Sequence, residues 1–84
     1  MEKYCEMLDY LGRVSLKDEP NNFANLFLFD VTIGKDTFEA ILFAHALDSF
    51  VTVNEEIKNK YDIKEIGQII FSQYKLETLA AYEN

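Results

Sequence analysis

Residues Leu26-Phe27-Leu28-Phe29-Asp30-Val31-Thr32-Ile33 form an apolar run rich in aromatic and β-branched side chains, and Gly34-Lys35-Asp36 stops it. This composition and length predict a strand over 25–33, at the centre of a sheet and largely covered on both faces. Just upstream, Arg13-Val14-Ser15-Leu16-Lys17 alternates polar and apolar before the turn cluster Asp18-Glu19-Pro20-Asn21-Asn22, which predicts another strand near 13–17.

Other segments carry helical spacing. Tyr4, Met7, Leu8 and Leu11 fall at i, i+3, i+4 and i+7, one face of a short helix that Gly12 would end. The same residues also read as an alternating strand through Tyr4, Glu6, Leu8 and Tyr10. After Gly34-Lys35, a return strand over 37–43 competes with a mostly buried helix over 37–49. The helix is favoured by Ala40, Leu42, Ala44, Ala46 and Leu47 and by the capping-box form of Asp36-Thr37-Phe38-Glu39. Two more box-like starts follow, Thr52-Val53-Asn54-Glu55 and Asp62-Ile63-Lys64-Glu65. The second precedes a stripe of Ile63, Ile66, Ile70 and Tyr74 and predicts a C-terminal helix near 63–80. Within it, Gly67 costs about 1 kcal/mol relative to Ala, and either permits close packing or marks a bend. The expected fold is α+β: a single domain over 1–84 with a short antiparallel sheet (strands near 13–17 and 25–33, with 37–43 open) packed against two to four helices.

Composition narrows the setting. With 49% hydrophobic and 14% aromatic residues, the chain is too apolar for the disordered class. Cys5 is the only cysteine, so no internal disulfide forms, and a reducing, cytoplasmic location is expected. The start Met1-Glu2-Lys3-Tyr4-Cys5-Glu6 lacks the basic and apolar regions of an export signal. The longest uncharged stretch, Asn21 to Phe29, has nine residues, against about 20 for a membrane-spanning helix. Anionic headgroups attract Lys and Arg clusters, of which there are none, so no membrane partner is expected.

The net charge of −7 is uneven. Residues 1–17 balance three acids with three bases, and residues 58–84 balance four with four. The whole excess lies in 18–57, where Asp18, Glu19, Asp30, Asp36, Glu39, Asp48, Glu55 and Glu56 face Lys35 alone. These eight acids are the candidate partner-binding residues, with those near 36 and 54 expected at exposed helix starts. Gathered on one face, they would steer basic partners and repel nucleic acid, whose nonspecific binding needs cations. The same acids also read as a solvated surface.

Candidate chemistry is sparse. His45, Asp48 and Ser49 contain the side chains of a nucleophilic triad, but on a helix His45 and Ser49 (i, i+4) merely share a face, nothing else supports convergence with an orienting acid and an oxyanion site, and His45 between alanines reads as structural. One Cys and one His do not make a zinc site, and three scattered glycines (12, 34 and 67) make no phosphate cradle. Acids surround Cys5, which reads as an unreactive thiol. No catalytic, cofactor-binding or metal-binding residues are expected.

In size and charge the chain resembles the small acidic anti-CRISPR and antirestriction proteins of phages and mobile elements, a likeness of composition rather than of motif. That likeness implies an inhibitor whose carboxylates occupy a basic, nucleic-acid-binding surface of a host protein complex. The alternative is a structural or assembly protein. Phe23, Phe27, Phe29, Phe38, Phe43, Phe50 and Phe71 are many large side chains for a small core, and some would serve an apolar homodimer interface.

Overall fold

The computed structural model describes residues 2–17, 19, 21–45 and 48–83, with main chain only from 79 onward. Four strands, β1 (Lys3–Ser15), β2 (Phe23–Ile33), β3 (Asp36–Ala44) and β4 (Phe50–Thr52), precede two helices, α1 (Glu55–Lys60) and α2 (Ile63–Glu83). The strands form an antiparallel meander in the order β1-β2-β3-β4. The protein is thus a mixed α+β fold with a four-stranded sheet and two helices.

The β2–β3 hairpin sets the register of the sheet. Ile33 pairs with Asp36 across Gly34-Lys35, and Gly34 has φ +62°, as a two-residue turn with glycine first requires. Each residue after the turn is then fixed opposite a β2 partner. Phe38, Ala40 and Leu42 join Phe29, Val31 and Ile33 on one face, all buried. The expected helix over 37–49 is therefore corrected to strand through Ala44. Alanine and leucine favour helix by only a few tenths of a kcal/mol per residue, less than burying Phe38 and Leu42 and completing the ladder returns. Residues 46 and 47, which also supported the helix, lie outside the described residues.

The expected helix over 4–11 is likewise strand, and β1 starts ten residues before the expected strand near 13–17. Register shifts fall between Met7 and Asp9 and between Tyr10 and Gly12, leaving Leu8 and Leu11 as inserted residues. These bulges disguise the strand. The β1 residues opposite the inward-facing side of β2 are Lys3, Cys5, Met7, Tyr10, Arg13 and Ser15, paired with Ile33, Val31, Phe29, Phe27, Asn25 and Phe23. A spacing of two that becomes three at each bulge breaks the strict alternation by which a strand is read. Gly12 sits at the second bulge with φ +109°, where it serves a strand rather than ending a helix.

The helices cover one face only. Asn54, not Thr52, caps α1: its Oδ1 accepts the Ile57 N–H at 2.9 Å. Glu55 and Glu56 at the start and Lys58 and Lys60 at the end suit the helix dipole. Asp62 opens α2 by accepting the Lys64 N–H at 3.0 Å, while Glu65 pairs with Lys3 on β1 rather than closing a capping box. Ile66 and Ile70 of α2 are fully buried against the sheet, and Ile57 of α1 joins them. A Cβ at Gly67 would stand 3.8 Å from Val51 Cγ2, so the helix passes close to β4 there. No described helix is long and apolar enough to cross a membrane.

Candidate functional site

The sheet has a second face that the helices leave bare. Directly opposed residues of antiparallel strands share a face, so the ladder assigns every paired strand residue to a side. Leu28 pairs with Ile41, which pairs with Thr52; Leu26 pairs with Phe43, which pairs with Phe50. Leu26, Leu28, Ile41 and Phe43 are half-buried and stand apart from the core cluster. The expectation that 25–33 is largely covered on both faces is therefore met in full on one side only: one side is core, while on the other, away from the helices, Leu26, Leu28 and Asp30 are half-buried. Phe43 and Phe50 stack with ring centroids 4.6 Å apart, and Phe50 remains 42% exposed. The inserted residues Leu8 and Leu11 on β1 are 47% and 46% exposed.

One step along the strands from the Leu28–Ile41 row lies a row of acids. Glu6 pairs with Asp30, and Asp30 pairs with Glu39. Three acidic residues thus occupy directly opposed positions on neighbouring strands about 4.8 Å apart. Asp9, opposite Leu28, adds a fourth on the β1 side. The strands contain two cations, Lys3 and Arg13, and both pair with residues on the helix side, Ile33 and Asn25. Among the strand residues, the charges on the uncovered face are therefore all acidic, beside apolar rows and the polar Thr32, Thr37 and Thr52.

The eight sequence-predicted acids do not share this face. Asp30 and Glu39 belong to the row. Asp18 lies outside the described residues, and Glu19 is exposed in the turn after β1. Asp36 is on the helix side, paired with Lys60 at 2.7 Å and accepting a hydrogen bond from the Tyr61 hydroxyl. These two bonds, Lys60 first, hold its carboxyl below the usual carboxylate value. Asp48 is exposed after β3, and its N–H donates to His45 Nδ1 at 3.4 Å. Glu55 and Glu56 are exposed in the first turn of α1. Glu6 and Asp9 were missed, because a balanced charge count over 1–17 conceals which side of a strand each charge takes. The alternating reading through Tyr4, Glu6 and Leu8 carried that signal.

Other clusters have structural partners. The Ser49 hydroxyl donates to the His45 carbonyl at 3.1 Å and accepts the His45 N–H at 3.0 Å, so its bonds run to main chain rather than to the imidazole. The Cys5 thiol donates to the Ile69 carbonyl at 3.5 Å, and burial, then the charge of Glu77, pushes its pKa up to about 11. Val51, Ile63, Gly67 and Phe71 help line an open cleft of about 380 Å³ between β4 and α2. Among the described residues, no three His, Cys, Asp or Glu side chains are placed to hold a metal ion. The chain matches no family model, no curated protein and no solved structure.

Proposed function

We propose that this protein is a non-enzymatic binding module that presents the uncovered face of its sheet to a basic surface of another protein. The observation that carries this reading is the Glu6–Asp30–Glu39 row beside exposed apolar rows. Like charges directly opposite one another destabilise a sheet, and local violations of folding rules concentrate at functional positions. An apolar surface of this kind marks an interaction site when polar residues border it. Carboxylates meet arginine with the same bidentate geometry as phosphates, so a protein surface built for nucleic acid suits this face. Inhibition of a nucleic-acid-handling protein is the role that follows, in line with the acidic composition.

The test compares the wild-type chain with a Glu6→Gln/Asp30→Asn/Glu39→Gln variant as bait in a bacterial lysate. Wild type is expected to retain a protein that high salt or competing DNA or RNA releases, while the variant retains much less. Equal retention by both refutes the reading.

Self-association is the second reading, favoured by exposed Leu8, Leu11 and Phe50. It predicts a dimer in sedimentation at micromolar concentration.

A further inference from the structure

We infer that the uncovered sheet face receives a basic amphipathic helix of a partner protein, lying across the strands beside the carboxylate row. This inference rests on the binding role proposed above and adds the shape of what binds.

Spacing supplies the argument. Along each strand, same-face residues are about 6.8 Å apart, so the Leu26–Phe43 row, the Leu28–Ile41 row and the acidic row form three parallel ridges with that separation. A helix 10–12 Å across, seated over the two apolar ridges, has its axis roughly 10 Å from the carboxylates, within reach of lysine or arginine side chains on its flank. Along the row, neighbouring acids are about 5 Å apart. Helix positions i, i+4 and i+7 advance by about 5.3 Å per step, so three cations on one flank match Glu6, Asp30 and Glu39 in turn. A partner strand matches poorly, since its same-face residues repeat at about 6.8 Å.

Charge decides between this occupant and a second copy. The face carries Glu6, Asp9, Asp30 and Glu39, and neither strand cation points to it. Two copies stacked face to face would bring eight carboxylates to one interface with no strand cation to meet them. Each copy also carries a net charge of −7. A foreign helix with an apolar stripe and a cationic flank meets both halves of the surface, the arrangement of helix-in-groove recognition.

The experiment titrates the full chain with a labelled 18-residue peptide of Leu, Ala and Lys. Leucines stand at helical i, i+3, i+4 and i+7 spacing, and lysines along one flank. A scrambled peptide of the same composition is the control, and amide chemical shifts locate the site. The patterned peptide is expected to shift Leu26, Leu28, Ile41 and Phe43 and to bind about tenfold more tightly than the scrambled one. Ile41→Thr, which keeps a strand former, and Asp30→Asn are each expected to weaken it severalfold with the spectrum otherwise intact. Equal affinity for the two peptides at this face overturns the helix geometry and leaves the acidic binding face standing. Shifts confined to the helix side overturn both readings. Failure of both peptides, with a dimer that Ile41→Thr dissociates, assigns the face to a second copy; failure with a monomer overturns the inference as well.

Discussion

Neutralising the central acid of the row, Asp30→Asn, should stabilise the protein. Asp30 is paired with both Glu6 and Glu39, so if like charges directly opposite repel as they do elsewhere in sheets, one substitution removes two repulsions. Taking carboxylate charges about 6 Å apart in a water-like medium, each unscreened pair costs about 0.7 kcal/mol. At 0.01 M salt, where the Debye length is about 30 Å, the two pairs together cost about 1.1 kcal/mol. At 1 M, with a Debye length of about 3 Å, only about 0.2 kcal/mol remains. Urea unfolding at both salt concentrations measures the difference. A gain near 1 kcal/mol at low salt corresponds to roughly 4–8 °C in Tm for a domain of this size. Glu6→Gln and Glu39→Gln should each deliver about half of it, since each removes one neighbouring repulsion. A low-salt effect of zero, or a loss, would show that the carboxylates diverge or are held by bonds that favour their charge. The same salt-insensitive gain at both concentrations would refute the electrostatic cause while leaving the register intact.

The two faces of the sheet should respond differently to truncation: Phe29→Ala and Ile70→Ala, at fully buried sites, should cost about 3–5 and 2–5 kcal/mol, whereas Leu28→Ala should cost well under half of the Phe29 loss. Comparable losses in urea unfolding would mean that the second face is covered. Gly67→Ala should stabilise by up to about 1 kcal/mol, because the added methyl meets Val51 and Phe71 at 3.8 and 4.0 Å without a clash; a loss would show that the approach of α2 to β4 is tighter than that. Asp36 has a folded pKa depressed below 3.8, chiefly by Lys60 and then Tyr61, so its contribution is present above that value and is lost as pH falls below it through the folded pKa. Asp36→Asn should flatten the acid limb of stability between pH 5 and 2, and an unchanged slope would argue against the Lys60–Asp36 pair in solution. Cys5, with its pKa raised to about 11, should react with a disulfide reagent at pH 8 much more slowly than a free thiol until the protein is unfolded; equal rates would place it at the surface.

The sequence made α2 legible because nothing interrupts its pattern. Ile63, Ile66 and Ile70 follow one period after a capping aspartate, and the predicted end at 80 differs by one turn from the observed Glu83. β2 was legible from its apolar run, but such a run does not state whether both sides are covered, and here one is not. β3 misled because Ala and Leu carry helical preference, whereas the Gly34 turn fixes the ladder through a contact with β2 that local propensity does not encode. β1 misled for a different reason. Each of its bulges inserts a residue, so the helical stripe of Tyr4, Met7, Leu8 and Leu11 mixes positions: Met7 faces the core, Tyr4 pairs with Thr32 on the other side, and Leu8 and Leu11 are the inserted residues.

Strand pairing, which the linear order of charges does not show, explains why the site was only half visible. Counting charge in blocks of sequence treats acids as equivalent when they are neighbours in the chain, but a sheet sorts them by parity and by register. Asp36 and Glu39 are three residues apart and lie on opposite sides, one neutralised by Lys60 and the other in an unrelieved acidic row. Glu6 and Glu39 are far apart in sequence and flank the same aspartate. The apolar surface obeys the same sorting, since Leu26 and Leu28 face away from the core that Phe27 and Phe29 join. The acidic row and the apolar rows, which supported competing readings of separate segments, thus lie on a single side of the sheet, and the proposed binding role draws on both. A partner that offers only charge leaves the leucines wet, and one that offers only apolar surface buries unpaired carboxylates. Tight binding requires both, which is why charge neutralisation and removal of Ile41 should each weaken the same interaction.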